Sequence, residues 1–148
     1  MGQKDVAVTP LQNALVAATI ANSGVMMQPY LVDSLKGGPD LSNISTAAPQ
    51  QQRRAVSTQV AAKLTDLMIG AEQMTQQKGA IPPGVQIASK TGTAEHGTDP
   101  RNTPPPPHAW YIAFAPPAQS PPKVAVAVLV ENGGDRLNAT GGALAAPP

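Results

Sequence analysis

The chain has 148 residues, a formal net charge of +1 and no cysteine. That length suits one domain with a core of its own, and the near-neutral charge argues against nucleic acid or any other polyanionic partner. The lack of cysteine excludes disulfide scaffolds, thiol catalysis and Cys-ligated zinc.

No apolar run is long enough to span a bilayer, and no charged segment followed by an apolar stretch opens the chain as a secretory leader would. Proline is over-used, at 17 residues. The clusters Pro82-Pro83, Pro104 to Pro107, Pro116-Pro117, Pro121-Pro122 and Pro147-Pro148 fall between candidate elements or at the end, where a missing N–H costs little, and read as stiff loops.

In chain order, the first helix starts at Thr9. Thr9 is the N-cap, Pro10 suits the first helical position, and Gln12 completes a T-x-x-Q capping box. Leu11, Leu15 and Ala18 mark one face, with Ala14 and Ala21 beside them, and Val16, Ala17 and Ile20 lie off it, so the helix should be buried on several sides. Gly24 is the natural stop. Residues 30–32 are expected to form a short strand after Pro29, Gly37-Gly38-Pro39 a turn, residues 40–52 an irregular polar stretch, and residues 53–56 another short strand. A second helix begins at the N-cap Ser57. Val60, Leu64, Leu67, Met68 and Ala71 recur along it at helical spacing, and Gly79 with Pro82-Pro83 should end it.

Three strands follow, at residues 85–93, 108–115 and 123–131. The last is apolar on both alternating sets, which predicts a sheet covered on both sides. The short link across residues 115–122 predicts antiparallel pairing of the last two strands. Helix, short strands, helix and three strands make an α+β domain, an antiparallel sheet covered by helices.

The first of the three strands runs V-Q-I-A-S-K-T-G-T-A-E and ends in Lys90-Thr91-Gly92-Thr93. A cationic Lys and a Thr hydroxyl suit a substrate carboxylate, and Gly92 lets a substrate backbone lie close to the strand. By itself the triplet reads equally well as a Lys solvating a strand end. Ser89 and Lys90 are neighbours on a strand and point to opposite faces, so they do not form a Ser–Lys dyad. Ser120-Pro121-Pro122-Lys123 has S-x-x-K spacing, but two prolines rule out the helical turn that would align Ser with Lys. No S-x-N occurs. Glu95, His96 and Asp99 read as an exposed loop rather than a metal or general-base site, and His108 as a structural histidine. Trp110, Tyr111 and Phe114 read as core or cleft wall, since a stacking platform for nucleic acid would need basic neighbours. No metal or cofactor is called for.

Taken in order, five segments resemble the C-terminal half of a class B penicillin-binding protein transpeptidase domain. They are G-Q-K-D-V-A-V-T-P-L-Q-N-A-L-V-A-A-T-I-A-N-S-G, M-Q-P-Y-L-V at Met27 to Val32, A-S-K-T-G-T-A-E, H-A-W-Y-I-A-F-A-P and K-V-A-V-A-V-L-V-E-N-G. K-T-G is a signature of that family and of the serine β-lactamases, alongside S-x-x-K and S-x-N-type motifs. The resemblance implies that a serine attacks the penultimate D-Ala carbonyl of a peptidoglycan stem peptide ending in D-Ala-D-Ala. D-Ala then leaves, and a neighbouring stem's amine takes the acyl group. β-Lactams acylate the same serine. It also implies that Lys90 supplies positive potential, that Thr91 and Thr93 bind the donor or β-lactam carboxylate, and that the Thr93 backbone N–H is one of two oxyanion donors.

In the family the nucleophile, its Lys and the S-x-N triad precede this region. Residues 1–148 are therefore expected to be a partial transpeptidase domain, inactive alone and completed by the remainder of that domain. The implied location is the cell envelope, on the extracytoplasmic face of the plasma membrane. The alternatives left open are the same half of a serine β-lactamase or β-lactam sensor, and a non-catalytic module of the same fold.

Overall fold

The structure is a computed structural model, and it describes residues 6–75, 84–97, 105–116, 121–133 and 141–145. Helix α1 spans Pro10–Ala21. Its start is the capping box expected from the sequence: the Gln12 N–H donates to Thr9 Oγ1 at 3.2 Å, and the Thr9 N–H donates to Gln12 Oε1 at 2.7 Å. These bonds satisfy two backbone donors around the helix start that would otherwise go unpaired. The buried side differs from the expected one. Leu11 is 59% exposed, whereas Ala17 is fully buried, with Ile20 and Ala21 packed beside it. Small side chains win here because α1 lies directly on the sheet, where a large residue would force the layers apart.

Strand β1 (Val25–Met27) pairs antiparallel with β4 (Gln51–Arg54), and β2 (Ser34–Gly37) pairs with β3 (Ser42–Thr46). Two expectations fail here. No strand forms at residues 30–32: the chain leaves the β1 ladder once the Gln28 N–H has bonded the Gln50 carbonyl, at the residue before Pro29, which has no N–H to give. The stretch read as irregular instead holds all of β3 and the start of β4. Both strands are exposed along their whole length. They are held by backbone ladders, so they leave no apolar alternation to read.

Helix α2 spans Thr58–Thr75, with the Val60 N–H bonded to Ser57 Oγ as an N-cap requires. Its inward face is Ala61, Met68 and Glu72, while Val60 and Leu67, expected inside, are exposed. The Gly79 and Pro82-Pro83 stop lies outside the described residues.

Strands β5 (Ala88–Ala94), β6 (His108–Ala115) and β7 (Val124–Val130) form one antiparallel sheet in that order. Strand β5 begins three residues later than expected. Helix α1 covers β6 and β7, and α2 packs on β5. On one face of the sheet, Ala88 and Phe114 pack with Ala17 and Met68. On the other, Ala109, Tyr111 and Ala113 pack with Ala145 from a short helical turn, Gly141–Ala145. The expectation that β7 is covered on both sides is corrected: Val124, Val126 and Val128 are 53%, 39% and 39% exposed. Apolar alternation records what a strand can bury, and on this face of β7 the described residues leave the valines open. Among the described residues no helix is long and apolar enough to cross a membrane.

Candidate active site

The candidate site forms along β5, which among the described residues is an outer strand with β6 as its one ladder partner. The register pairs Lys90 with Ile112, Thr91 with Tyr111, Gly92 with Trp110 and Thr93 with Ala109. Cross-strand partners share a face, so Lys90, Gly92, Ile112 and Trp110 face one way. Ser89, Thr91, Thr93 and Tyr111 face the other.

A groove of about 560 Å³ runs beside Lys90, Thr91, Gly92 and Thr93 and is closed by Trp110, Ile112, Asn13 of α1 and the valines that precede α1. A second groove, of about 410 Å³, lies between α1 and residues 121–125, and among the described residues that line it Lys123 alone is charged. The four residues singled out in the sequence therefore sit together. A Cβ on Gly92 would lie 3.3 Å from Trp110 Cβ, tighter than most such contacts, so a side chain there would press on the aromatic wall.

Lys90 Nζ donates to the Thr91 carbonyl at 2.8 Å. Thr93 Oγ1 accepts a 3.4 Å bond from the Gly141 N–H. Gly141 itself is pressed so closely onto Gly92 and Trp110 that a Cβ there would collide with both their carbonyl oxygens. The Gly141–Ala145 turn thus backs the Thr face of the strand.

Behind the groove, Glu72 is buried and accepts hydrogen bonds on Oε2 from the Ser89 hydroxyl and, at 3.0 Å, from the Tyr111 hydroxyl. Burial pushes the Tyr111 phenol up to about 12, the Ser89 hydrogen bond works against that, and the Glu72 charge and hydrogen bond add to it. Ser89 thus turns to Glu72 and not to Lys90, as strand alternation requires. Sequence reasoning missed Glu72, because a charged residue next to an apolar stripe reads as the solvated side. Two signals pointed to it: Glu72 follows Met68 by one helical turn, and Ser89 is a polar residue at a buried strand position, which demands a polar partner. Asn13 was also missed, hidden inside a helix assigned wholly to packing.

Of the remaining candidates, the two histidines lie against each other. His96 and His108 stack with ring centroids 3.9 Å apart. The Asn132 N–H donates to His108 Nδ1 at 3.0 Å, and His96 Nε2 meets the Pro106 carbonyl at 3.1 Å. Burial, then the neighbouring His96, lowers the His108 pKa below 6.5, against a smaller upward pull from Glu131. Asp99 and Ser120 lie outside the described residues. Among the described residues no three His, Cys, Asp or Glu side chains come together as a metal site.

Comparison with known proteins places the chain in a family. Residues 1–147 match the family described as the penicillin binding protein transpeptidase domain. Over 147 residues, 99% of the chain, it is 80% identical to the peptidoglycan D,D-transpeptidase PbpA of Mycolicibacterium smegmatis and 79% identical to that of Mycobacterium tuberculosis. It spans 29% of the length of each relative. The fold superposes with a TM-score of 0.88 on the ceftriaxone acyl-enzyme complex of penicillin-binding protein A from M. tuberculosis, at 79% identity, covering 99% of this chain and 32% of that one. A D,D-transpeptidase domain from Eggerthella lenta superposes with a TM-score of 0.72 at 35% identity, covering 92% of this chain and 30% of that one. With the match running the length of the chain, the K-T-G strand, its aromatic wall and the helices that pack on its sheet belong to the penicillin-binding protein transpeptidase family.

Proposed function

We propose that the groove beside β5 is one wall of the acyl-transfer site of a peptidoglycan D,D-transpeptidase, and that residues 1–148 are one part of a single transpeptidase domain. The observation that carries this reading is that Lys90, Thr91, Gly92 and Thr93 line a single groove along an outer strand. An extended stem peptide ending in D-Ala-D-Ala, or a β-lactam, lies along that strand. Lys90 supplies positive potential for the anionic end of the donor. The Thr91 and Thr93 hydroxyls hold its carboxylate, and the Thr93 N–H donates to the oxyanion as the carbonyl becomes tetrahedral. Gly92 lets the substrate backbone approach.

The serine nucleophile comes from the remainder of the domain, because this sequence holds neither a helical S-x-x-K nor an S-x-N. Lys123 of the one S-x-x-K match follows a non-helical Pro121-Pro122, and its N–H bonds the Ala115 carbonyl. The working location that follows from the substrate is the extracytoplasmic face of the plasma membrane.

Fluorescent penicillin tests the reading. A chimera in which this chain replaces the matching 147 residues of the M. tuberculosis PbpA relative is expected to be labelled covalently. The 148-residue chain alone is expected to remain unlabelled. A stable adduct on any serine of this chain, Ser120 included, contradicts the division of the site between two segments. A chimera that folds but takes no label contradicts the role given to the groove.

A further inference from the structure

Lys90 and Gly92 lie on one face of β5, while the face that Ser89 shares with Thr91 and Thr93 holds an acid that the proposed chemistry does not use. Glu72, in the last turn of α2, is 7% exposed. The two hydroxyls it accepts from are buried as well, Ser89 at 1% and Tyr111 at 2% exposure. An acid taken out of water needs hydrogen bonds to be tolerated, and an apolar side chain of similar volume is often no worse for stability. Packing alone gives no reason for it.

Its placement does. Ser89 directly precedes Lys90, and Tyr111 is the register partner of Thr91. One carboxyl oxygen therefore ties α2 to β5 and β6 at the two positions where the K-T-G segment starts. Among the described residues β5 has a ladder on one side, to β6, and one ladder by itself holds the roll of a strand about its own axis weakly. Successive side chains point to opposite faces. A roll that lifts Ser89 from Glu72 swings Lys90 through the same angle in the groove.

We propose that Glu72 is a positioning residue for the acyl-transfer site: through Ser89 and Tyr111 it sets the roll of β5 and so the direction in which Lys90 and Thr91 meet the substrate. This rests on the groove reading above. Glu72 does not touch the substrate. It needs an acceptor oxygen that both hydroxyls can share, and burial keeps the Tyr111 phenol a donor across the working pH range.

The test uses the chimera and saturation kinetics with fluorescent penicillin, which separate the binding constant from the acylation rate constant, with the thermal midpoint measured alongside. Glu72→Leu and Tyr111→Phe are expected to lower the acylation rate constant by about 10- to 100-fold, the range for a small misplacement made away from the chemistry. The binding constant changes far less. Glu72→Gln keeps an oxygen able to accept both hydrogen bonds and is expected to recover most of the rate. A purely structural role would lower the thermal midpoint and leave the folded fraction acylating at the unsubstituted rate, and that result overturns the proposal. Should Glu72→Leu fail to fold, Tyr111→Phe and Ser89→Ala carry the same test. Lys90→Ala separates the two readings. If it cripples acylation while the Glu72, Ser89 and Tyr111 variants do not, only the positioning role falls. If it has no effect either, both fall.

Discussion

The two faces of β5 are one residue apart in sequence and opposite in chemistry. On one face Lys90 is exposed beside an open groove; on the other Ser89 is 1% exposed and bonded to a buried acid. The open face is where a ligand exchanges with water. The closed face is where the protein determines how the open face is held. Among the described residues β5 has one ladder partner, so the angle at which it holds Lys90 on one face and the Thr91 and Thr93 hydroxyls on the other depends on further restraints, which come from α2 and from the Gly141–Ala145 turn.

The sharpest way to break the comparison is on the open face. Lys90→Ala in the chimera is expected to lower the β-lactam acylation rate by about 10²- to 10³-fold, the usual cost of losing a group aimed at developing negative charge. The thermal midpoint should be nearly unchanged, since Lys90 is exposed. Acylation at the unsubstituted rate would remove Lys90 from the site.

Gly92→Val probes the gap between strand and substrate. Its Cβ would sit 3.3 Å from Trp110 Cβ, and its methyls would enter the groove. About a tenfold to hundredfold loss of acylation is expected, read by the same labelling assay, with Gly92→Ala losing less.

The closed face has a pH signature. The Tyr111 phenol is raised from 10.0 to about 12 by burial, less the pull of Ser89. The folded form therefore holds that proton when the unfolded chain has already released it. This contribution to stability is complete below pH 10 and is lost as pH rises through about 12. Thermal melts across that window should fall less steeply in Tyr111→Phe. An identical slope in the two proteins would mean that Tyr111 is not held by this network. The smallest effect lies far from either face: Thr9→Ala removes the α1 cap and should cost about 1 kcal/mol by chemical denaturation without altering acylation.

What the sequence made legible follows from which forces leave a local trace. Thr9, Pro10 and Gln12 announced α1 because capping is a contract between residues three apart. The strand at residues 108–115 was readable to the residue because its core is local and apolar. Strands β3 and β4 were not, because exposed ladders are held by backbone bonds to partners that no side-chain pattern names. The site divides in the same way. Lys90 to Thr93 lie on one continuous segment, and the order of the segments around them pointed to their family. Glu72 and Asn13 come from helices that meet β5 only after folding. The exposed valines of β7 were misread for a related reason: a strand's composition records its capacity for burial, while the neighbouring elements decide whether that capacity is used.

The central claim, that the K-T-G strand is the carboxylate- and oxyanion-binding wall, is tested most directly by a crystal structure of the penicillin-acylated chimera. The antibiotic carboxylate is expected within hydrogen-bond distance of the Thr91 or Thr93 hydroxyl, the former β-lactam carbonyl oxygen on the Thr93 N–H, and Lys90 beside the bound acyl group. An acyl group whose carboxylate and carbonyl oxygen both rest on residues away from β5 would contradict it.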